Sequence, residues 1–479
     1  MKTRREAIKT IVALLFSSQL KGLAYASSSL EYQKIGQLIK ESFSDVKKLV
    51  LIYPKGSKAN LTPVVEEFFK LTGIVVELQE GSLDEIASEV LLESKLVKKT
   101  KVFDLALPST FTLPDLVEAN VIENLSLYEK KYKNFEANSG LYTRGDRYNN
   151  KLYGMQTDGD TYLMFYNQSF LTDKTLQAEY ASKYGKAIEV PKTWEELDQL
   201  IRFFHNPAKE RLGGNLFRNQ NYTIWEFWMR LHAKGILPFD EQMVPQIDSD
   251  LGIEALEELV RITEFLDPAV MKSGLFENFK LFAQGKSFCN LGWGGTQKYL
   301  NGPKSKIKGQ LKIDLPPGGL FKGENFSVPY FNWGWNYVVS SHSKNKDLGY
   351  LFCLFATSSF ISTQAVREVD GYFDPYRLEH YEDPVIKKIY SQEFLSAHKQ
   401  GMQQSMPDLY LKGQGLYSSA LKQAISMAVM KQVSPKLALK RVAKKWDQIT
   451  DKIGRESQIS RWGELKDSYP AKLKKVYNI

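Results

Sequence analysis

With 479 residues the chain is too long for one ordinary domain, and 43% apolar with 25% charged residues describes a globular protein with material for two or three cores. Of the net charge of +9, the first 26 residues supply +4 (Lys2, Arg4, Arg5, Lys9 and Lys21 against Glu6), leaving +5 for the rest. That mild excess sits in short, scattered clusters (Lys98-Lys99, Lys304 to Lys308, Lys444-Lys445), so it reads as solvated surface and gives no case for a nucleic-acid partner.

The N-terminus has the layout of an export signal. A basic stretch ends at Lys9, Ile11 to Phe16 is a short apolar core, and Ala24-Tyr25-Ala26 is a cleavage site, so residues 1–26 are expected to be removed. Thr3-Arg4-Arg5 suggests the twin-arginine route. A membrane anchor here fails on length, since spanning takes ~20 apolar residues. The mature protein is expected in the periplasm. Cys289 and Cys353 both lie in apolar settings, and two buried thiols are preferred to a disulfide. The five histidines never fall at metal spacing with cysteines or carboxylates, so no metal and no cofactor is expected.

Residues 27–47 read as a helical extension. Leu49 to Tyr53 is a short strand, Thr62-Pro63 an expected helix start, and Val64, Val65, Phe68 and Leu71 one helix face ended by Gly73. Ile74 to Leu78 and Val102 to Leu107 are further strands. Ser82 and Glu85 form a capping pair, and Leu113 to Ala119 is a short helix. Alternating strands and helices predict an α/β fold with mostly parallel sheets, in which ligands sit at strand carboxyl ends such as Tyr53.

Tyr153 to Asn167 carries Asp158-Gly159-Asp160 ahead of the apolar stretch Thr161 to Tyr166. Alone, this is also ordinary turn chemistry. Acidic acceptors beside rings such as Tyr162, however, suit a hydroxylated solute, whose O–H groups donate while its C–H faces stack. Thr193 to Glu196 is a capping box opening a helix, and Tyr222 to Leu231 and Gly252 to Leu266 are further helices. Ser287 to Leu291 is a strand that exits into Gly292-Trp293-Gly294-Gly295. Tyr330-Phe331-Asn332-Trp333-Gly334-Trp335 is ring-rich, and on a strand Trp333 and Trp335 share a face. Asp370-Gly371-Tyr372-Phe373 is a third stretch of the same make-up, and two amphipathic helices, Leu416 to Met430 and the one opening at Ser434-Pro435, close the chain. Three such stretches between regular segments fit three crossings between two lobes.

Lys151-Leu152-Tyr153-Gly154 running on to Tyr166-Asn167, the Pro191 to Leu197 helix start, Phe282 to Lys286 before Gly292-Trp293-Gly294, Ser341 to Asp347, and Ser434-Pro435 together resemble the extracellular solute-binding proteins of ABC importers, the maltodextrin-binding-like group called family 1. The likeness runs from about residue 48 to 450. It implies a two-lobed clam fold with three hinge crossings: residues 48–158 plus 334–370 as the N-terminal lobe, 159–333 plus 371–450 as the C-terminal lobe, and 451–479 as a tail. It also implies capture of a carbohydrate or other polyhydroxylated solute, permease subunits as partner, a monomer, and no covalent chemistry. Asp158, Asp160, Tyr162, Trp293, Tyr330, Asn332, Trp333, Trp335, Asp370, Tyr372 and Tyr53 are the expected ligand-binding residues. Two alternatives remain at this point. One is a secreted hydrolase using Asp158 and Asp160 as an acid/base pair, since positions i and i+2 of a strand lie ~6.5 Å apart. The other is a sensing module for a membrane receptor.

Overall fold

The computed structural model describes residues 30–83, 85–88, 90, 103–135, 140–331 and 334–479. The export signal, the start of the strand expected from Val102, and Asn332 and Trp333 lie outside the described residues.

Two sheets organise the fold. The first contains β1 (Lys48–Pro54), β2 (Val75–Gly81), β3 (Leu105–Ala106) and β4 (Gly154–Gln156). The second contains β5 (Leu163–Asn167), β6 (Leu212–Asn215), β7 (Ser287–Gly292) and β8 (Leu311–Asp314). The chain then returns to the first sheet as β9 (Asn336–Val339). The orders are β2-β1-β3-β9-β4 and β8-β5-β7-β6. Within these two sheets, parallel pairing is confined to β1 with β2 and β3, and to β6 with β7. The pairings β3–β9, β9–β4, β8–β5 and β5–β7 are antiparallel, which corrects the expectation of mostly parallel sheets. The reason is topological. A strand that enters a sheet from the other lobe, as β5 and β9 do, arrives from the opposite end and runs against its neighbours.

The chain therefore passes between the sheets from Gln156 to Leu163 and back from Asp314 to Asn336. A third passage follows the helix Ser359–Arg367, which packs on Lys58–Thr72 beside the first sheet. It ends at the helix Gln392–Gln404, which packs on β5 and β8 of the second.

Helix ends follow local chemistry in most places. Thr193 and Glu196 close a reciprocal capping box on Trp194–Phe204, and Gly73 ends Lys58–Thr72 in the left-handed conformation at φ 76°. The helix expected to start at Thr62-Pro63 begins a turn earlier, at Lys58, and carries Pro63 inside. The missing donor of Pro63 is tolerated because the extra turn places buried Asn60 where it makes long-range bonds. Asn60 Nδ2 donates to the Ala365 carbonyl at 2.8 Å, and its Oδ1 accepts from the Tyr372 amide at 3.0 Å. Tertiary bonding outweighed the local start signal.

Helix 30–42 lies against the first lobe, Tyr32 stacking on Phe360 at 4.7 Å. The C-terminal segment forms two helices, Arg455–Asp467 and Ala471–Tyr477. Trp462 is buried against Phe239, and the Tyr477 hydroxyl donates to the His232 carbonyl. Cys289 and Cys353 are free and buried. No single described helix is long and apolar enough to cross a membrane.

Candidate functional site

The three passages meet. Thr161 bridges Phe331, and Ser109 at the exit of β3 bridges Trp335. The Thr157 amide donates to the Trp335 carbonyl at 2.8 Å and that of Tyr162 to the Tyr330 carbonyl at 3.0 Å. From the third passage, the Asp374 amide donates to Asp158 Oδ1 at 2.5 Å. Gly159 is required at this junction, because a Cβ there would lie 2.2 Å from the Pro375 carbonyl oxygen. Two backbones cross in contact, and no side chain fits between them.

Three carboxyl groups gather at the crossing. Ligand-capable oxygens of Asp158, Asp160 and Asp374 all lie within 4.8 Å of one another, and the three residues are at most 3% exposed. Burial, and next the charge of Asp374, push the Asp158 carboxyl well above the usual carboxylate range. Burial and the charges of Asp158 and Asp374 do the same to Asp160. Asp374 is raised to about 6, again chiefly by burial, with Lys298 acting against it. The Asp160 carboxyl donates to Asp374, so the pair shares a proton. Asp374 also accepts from the Tyr390 hydroxyl at 2.8 Å and from the Gly294 amide. Gly294 permits this approach, since a Cβ there would lie 2.2 Å from the Asp374 carboxyl.

Lys298 is the neighbouring cation. Its buried Nζ donates to the carbonyls of Phe373, Glu368 and Gly371 at 2.8, 3.0 and 3.3 Å, and burial lowers it to about 8. His398 is held neutral by burial, at about 4, and its Nε2 contacts the Gly159 carbonyl at 2.6 Å. With the Tyr381 hydroxyl 2.7 Å from Nδ1, the tautomer that satisfies both bonds carries its proton on Nε2.

Rings wall the crevice in front of these acids. It is lined by Leu83, Asp160, Tyr222, Leu275, Trp293, Trp335 and Tyr372. Tyr162 meets Trp293 edge-on at 5.2 Å, and Tyr372 lies 6.3 Å from Trp335. The cavity is about 10 Å³, near the room one water needs, so a larger guest enters only if the walls part.

A profile described as bacterial extracellular solute-binding protein matches residues 64–390. The chain belongs to this family. A probable amino-acid ABC transporter periplasmic-binding protein of Sinorhizobium fredii is 23% identical over 388 residues, covering 78% of this chain and 83% of that one. Among solved structures, a solute-binding protein of Agrobacterium radiobacter K84 in complex with ribitol superposes with a TM-score of 0.71 at 16% identity. It covers 84% of this chain and 98% of that chain. One from Agrobacterium vitis S4 with bound D-mannitol gives 0.70 at 18% identity, over 85% and 99%. At these identities the structural likeness speaks for the fold.

Within this solute-binding protein, the residues expected from sequence divide. Asp160, Trp293, Trp335 and Tyr372 line the crevice, Asp158 lies directly behind Asp160, and Tyr162 supports Trp293. Asp370 is exposed and faces away, so the carboxylate of the third passage is Asp374, four residues on. The turn at Gly371, pinned by Asn60, carries Asp370 outward before the chain reaches the crossing. Tyr330 is buried elsewhere, its hydroxyl donating to Asp408 at 3.1 Å, and Tyr53 lies at the end of β1 outside the lining. Both were read from ring-rich or strand-end position alone, and position does not say which way a ring turns. Asp374, Lys298 and Tyr222 escaped sequence reading. The Tyr372-Phe373-Asp374 run carried a usable signal, an acid directly after two rings, whereas Lys298 is an ordinary mid-helix lysine in sequence.

A larger cavity, about 420 Å³, lies beyond Trp225 and Phe111, with Thr110, Tyr142, Arg144, Asp408 and Arg461 in its wall. Its Arg147 and Arg461 are engaged by Glu129 and Glu118. The acid cluster belongs to the smaller crevice, where strand ends of both sheets meet, and that is the better candidate for solute recognition.

Proposed function

We propose that this protein captures a small polyhydroxylated solute, a polyol or sugar, between two lobes and delivers it to the permease of an ABC importer. The lobes are residues 48–158 with 334–370 and 159–333 with 371–450, hinged at the three passages. Asp158 and Asp160, with Asp374, accept from solute hydroxyls, while Trp293, Trp335 and Tyr372 stack on its C–H faces. The single observation that carries this reading is the cluster of buried acceptors facing an aromatic crevice where both sheets and all three passages meet. The ribitol and D-mannitol bound by the two similar structures support the solute class. Export by the 1–26 signal, through the twin-arginine route, and action as a monomer in the periplasm complete the proposal.

Binding without turnover is part of it. A hydrolase sets its two carboxyl groups on opposite sides of the scissile bond. The acids here touch one another instead, with Asp160 bonded to Asp374, which supports a binding role. Native mass spectrometry of freshly purified protein, followed by calorimetric titration with ribitol, D-mannitol and maltose, tests the reading. A retained or added solute recovered unchanged is expected. Trp293→Ala should weaken binding by roughly 1–3 kcal/mol through lost ring contact. Cleaved maltose, or an unaltered affinity in Trp293→Ala, would sink it.

A further inference from the structure

Two acids on the side of the first sheet are held by groups on the side of the second. Asp115 and Glu118 lie on the helix Leu113–Glu118. The chain just beyond it is tied to the first sheet, since Ile122 bridges Ser340 and the Glu123 amide donates to the Val339 carbonyl of β9 at 2.8 Å. Opposite stands the helix Gln414–Val429, which packs on Thr223–Ala233 and Asp250–Ile262. The Gly413 amide donates to Asp115 Oδ1 and the Gly415 amide to Oδ2, each at 2.8 Å. One carboxylate thus closes the start of a helix that belongs to the other lobe. Lys412 Nζ reaches Glu118 Oε2 at 2.9 Å, and Arg461 Nη2 donates to Oε1 at 3.0 Å. Arg461 rides on the second lobe. Its helix buries Trp462 against Phe239, pairs Lys466 with Glu241, and donates from Arg455 to the Gln242 and Met243 carbonyls.

Every carboxylate oxygen of Asp115 and Glu118 is therefore bonded across the lobes, and none of these residues lies in a passage or lines the acid crevice. The passages join the lobes in any arrangement, whereas contacts outside them part when the lobes rotate away from one another. We infer that Asp115 and Glu118 form an interlobe latch that favours the closed arrangement and so sets how long a solute is retained, without touching it. They are positioning residues for capture, and the inference rests on the lobe opening that the proposed function requires. The latch biases the lobes and does not lock them, because on opening each bond is exchanged for bonds to water. A solute leaves through the open arrangement, so whatever favours the closed one slows its release. The tail beyond residue 450 takes part through Arg461.

Pulsed electron double resonance between spin labels on Lys70→Cys and Lys272→Cys, one in each lobe of the full mature protein, reads the lobe arrangement directly. Both positions are exposed, while the native Cys289 and Cys353 are buried away from the label. Without solute, Asp115→Asn, isosteric with the native side chain, should raise the ratio of long to short distances at least about tenfold, as expected for lost charge-assisted bonds. Arg461→Gln should raise it about threefold, the scale of one partly exposed ion pair, and it serves alone if the first variant fails to fold. Lys431→Gln breaks the Lys431–Glu264 pair, which lies within the second lobe, and should leave the distances as in wild type. In stopped-flow release of ribitol, D-mannitol or maltose, whichever the wild type binds, Asp115→Asn should quicken dissociation by the same factor of about ten. Unchanged distances in Asp115→Asn and Arg461→Gln overturn the latch even if melting temperatures fall, since a merely structural role moves stability and not lobe spacing. Shifted distances with unaltered release overturn its part in retention. Shifted distances with none of the three solutes bound by wild type leave the latch standing and remove the polyol or sugar reading instead.

Discussion

Replacing Asp374 by asparagine gives a direct test of the buried acid cluster. The Asp374 carboxyl is held at about 6 against an ordinary 3.8. Its contribution is fully present below the unfolded value and is lost as pH rises through about 6. The full loss is about 3 kcal/mol, from ~1.4 kcal/mol per unit over roughly two units. Between pH 5 and 8 the part still to be lost is about 1.5 kcal/mol. Buried His232 and His398 act with the opposite sign. Burial holds both at about 4, so their contribution grows as pH rises from there toward 6.5. The raw pH profile therefore mixes the two effects; the difference between variant and wild type removes the histidines and reports Asp374 together with its influence on Asp158 and Asp160, whose carboxyls its charge raises. Asparagine keeps an acceptor for the Tyr390 hydroxyl but never ionises. Urea unfolding of both proteins at several pH values should show Asp374→Asn gaining about 1.5 kcal/mol relative to wild type between pH 5 and 8. A difference constant with pH would mean that Asp374 is not desolvated as described, and the cluster argument would fail with it.

Arg230 is buried between Glu226 and Asp198, at 2.9 and 2.8 Å, and stacks on Trp194. Arg230→Met should cost about 3–5 kcal/mol in urea unfolding, because it strands buried carboxylates; a loss below ~1 kcal/mol would show that they find other partners. Gly294→Ala should destabilise by roughly 1–3 kcal/mol through its clash with Asp374 and should weaken solute binding as well. Gly463→Ala, in helix Arg455–Asp467 with open space around its Cβ, should be neutral or stabilising by up to ~1 kcal/mol. Equal behaviour of the two glycine variants in thermal melts would count against the close approach at Gly294.

Much of the architecture was legible from short stretches. The Thr193–Glu196 box, the Gly73 terminus, the Ser434 cap and the apolar strands at Leu49, Leu163 and Ser287 depend on residues a few positions apart. Backbone propensity and capping act over that range, so the sequence carries them openly. Half of the candidate site was legible too, since Asp158, Asp160, Trp293, Trp335 and Tyr372, which the fold brings together, stand in glycine- and ring-rich stretches between regular elements. Strand direction, the choice of Asp374 over Asp370, and the turn of Tyr330 toward Asp408 were not. Each depends on a contact between distant parts of the chain. Asp374 meets Asp158 across 216 positions, and Asn60 fixes the turn before it from 312 positions away. Spacing along a chain gives a side chain its face of a helix or strand. Only packing of one lobe against the other decides which of those faces share a dry crevice, and whose charges must then be matched there.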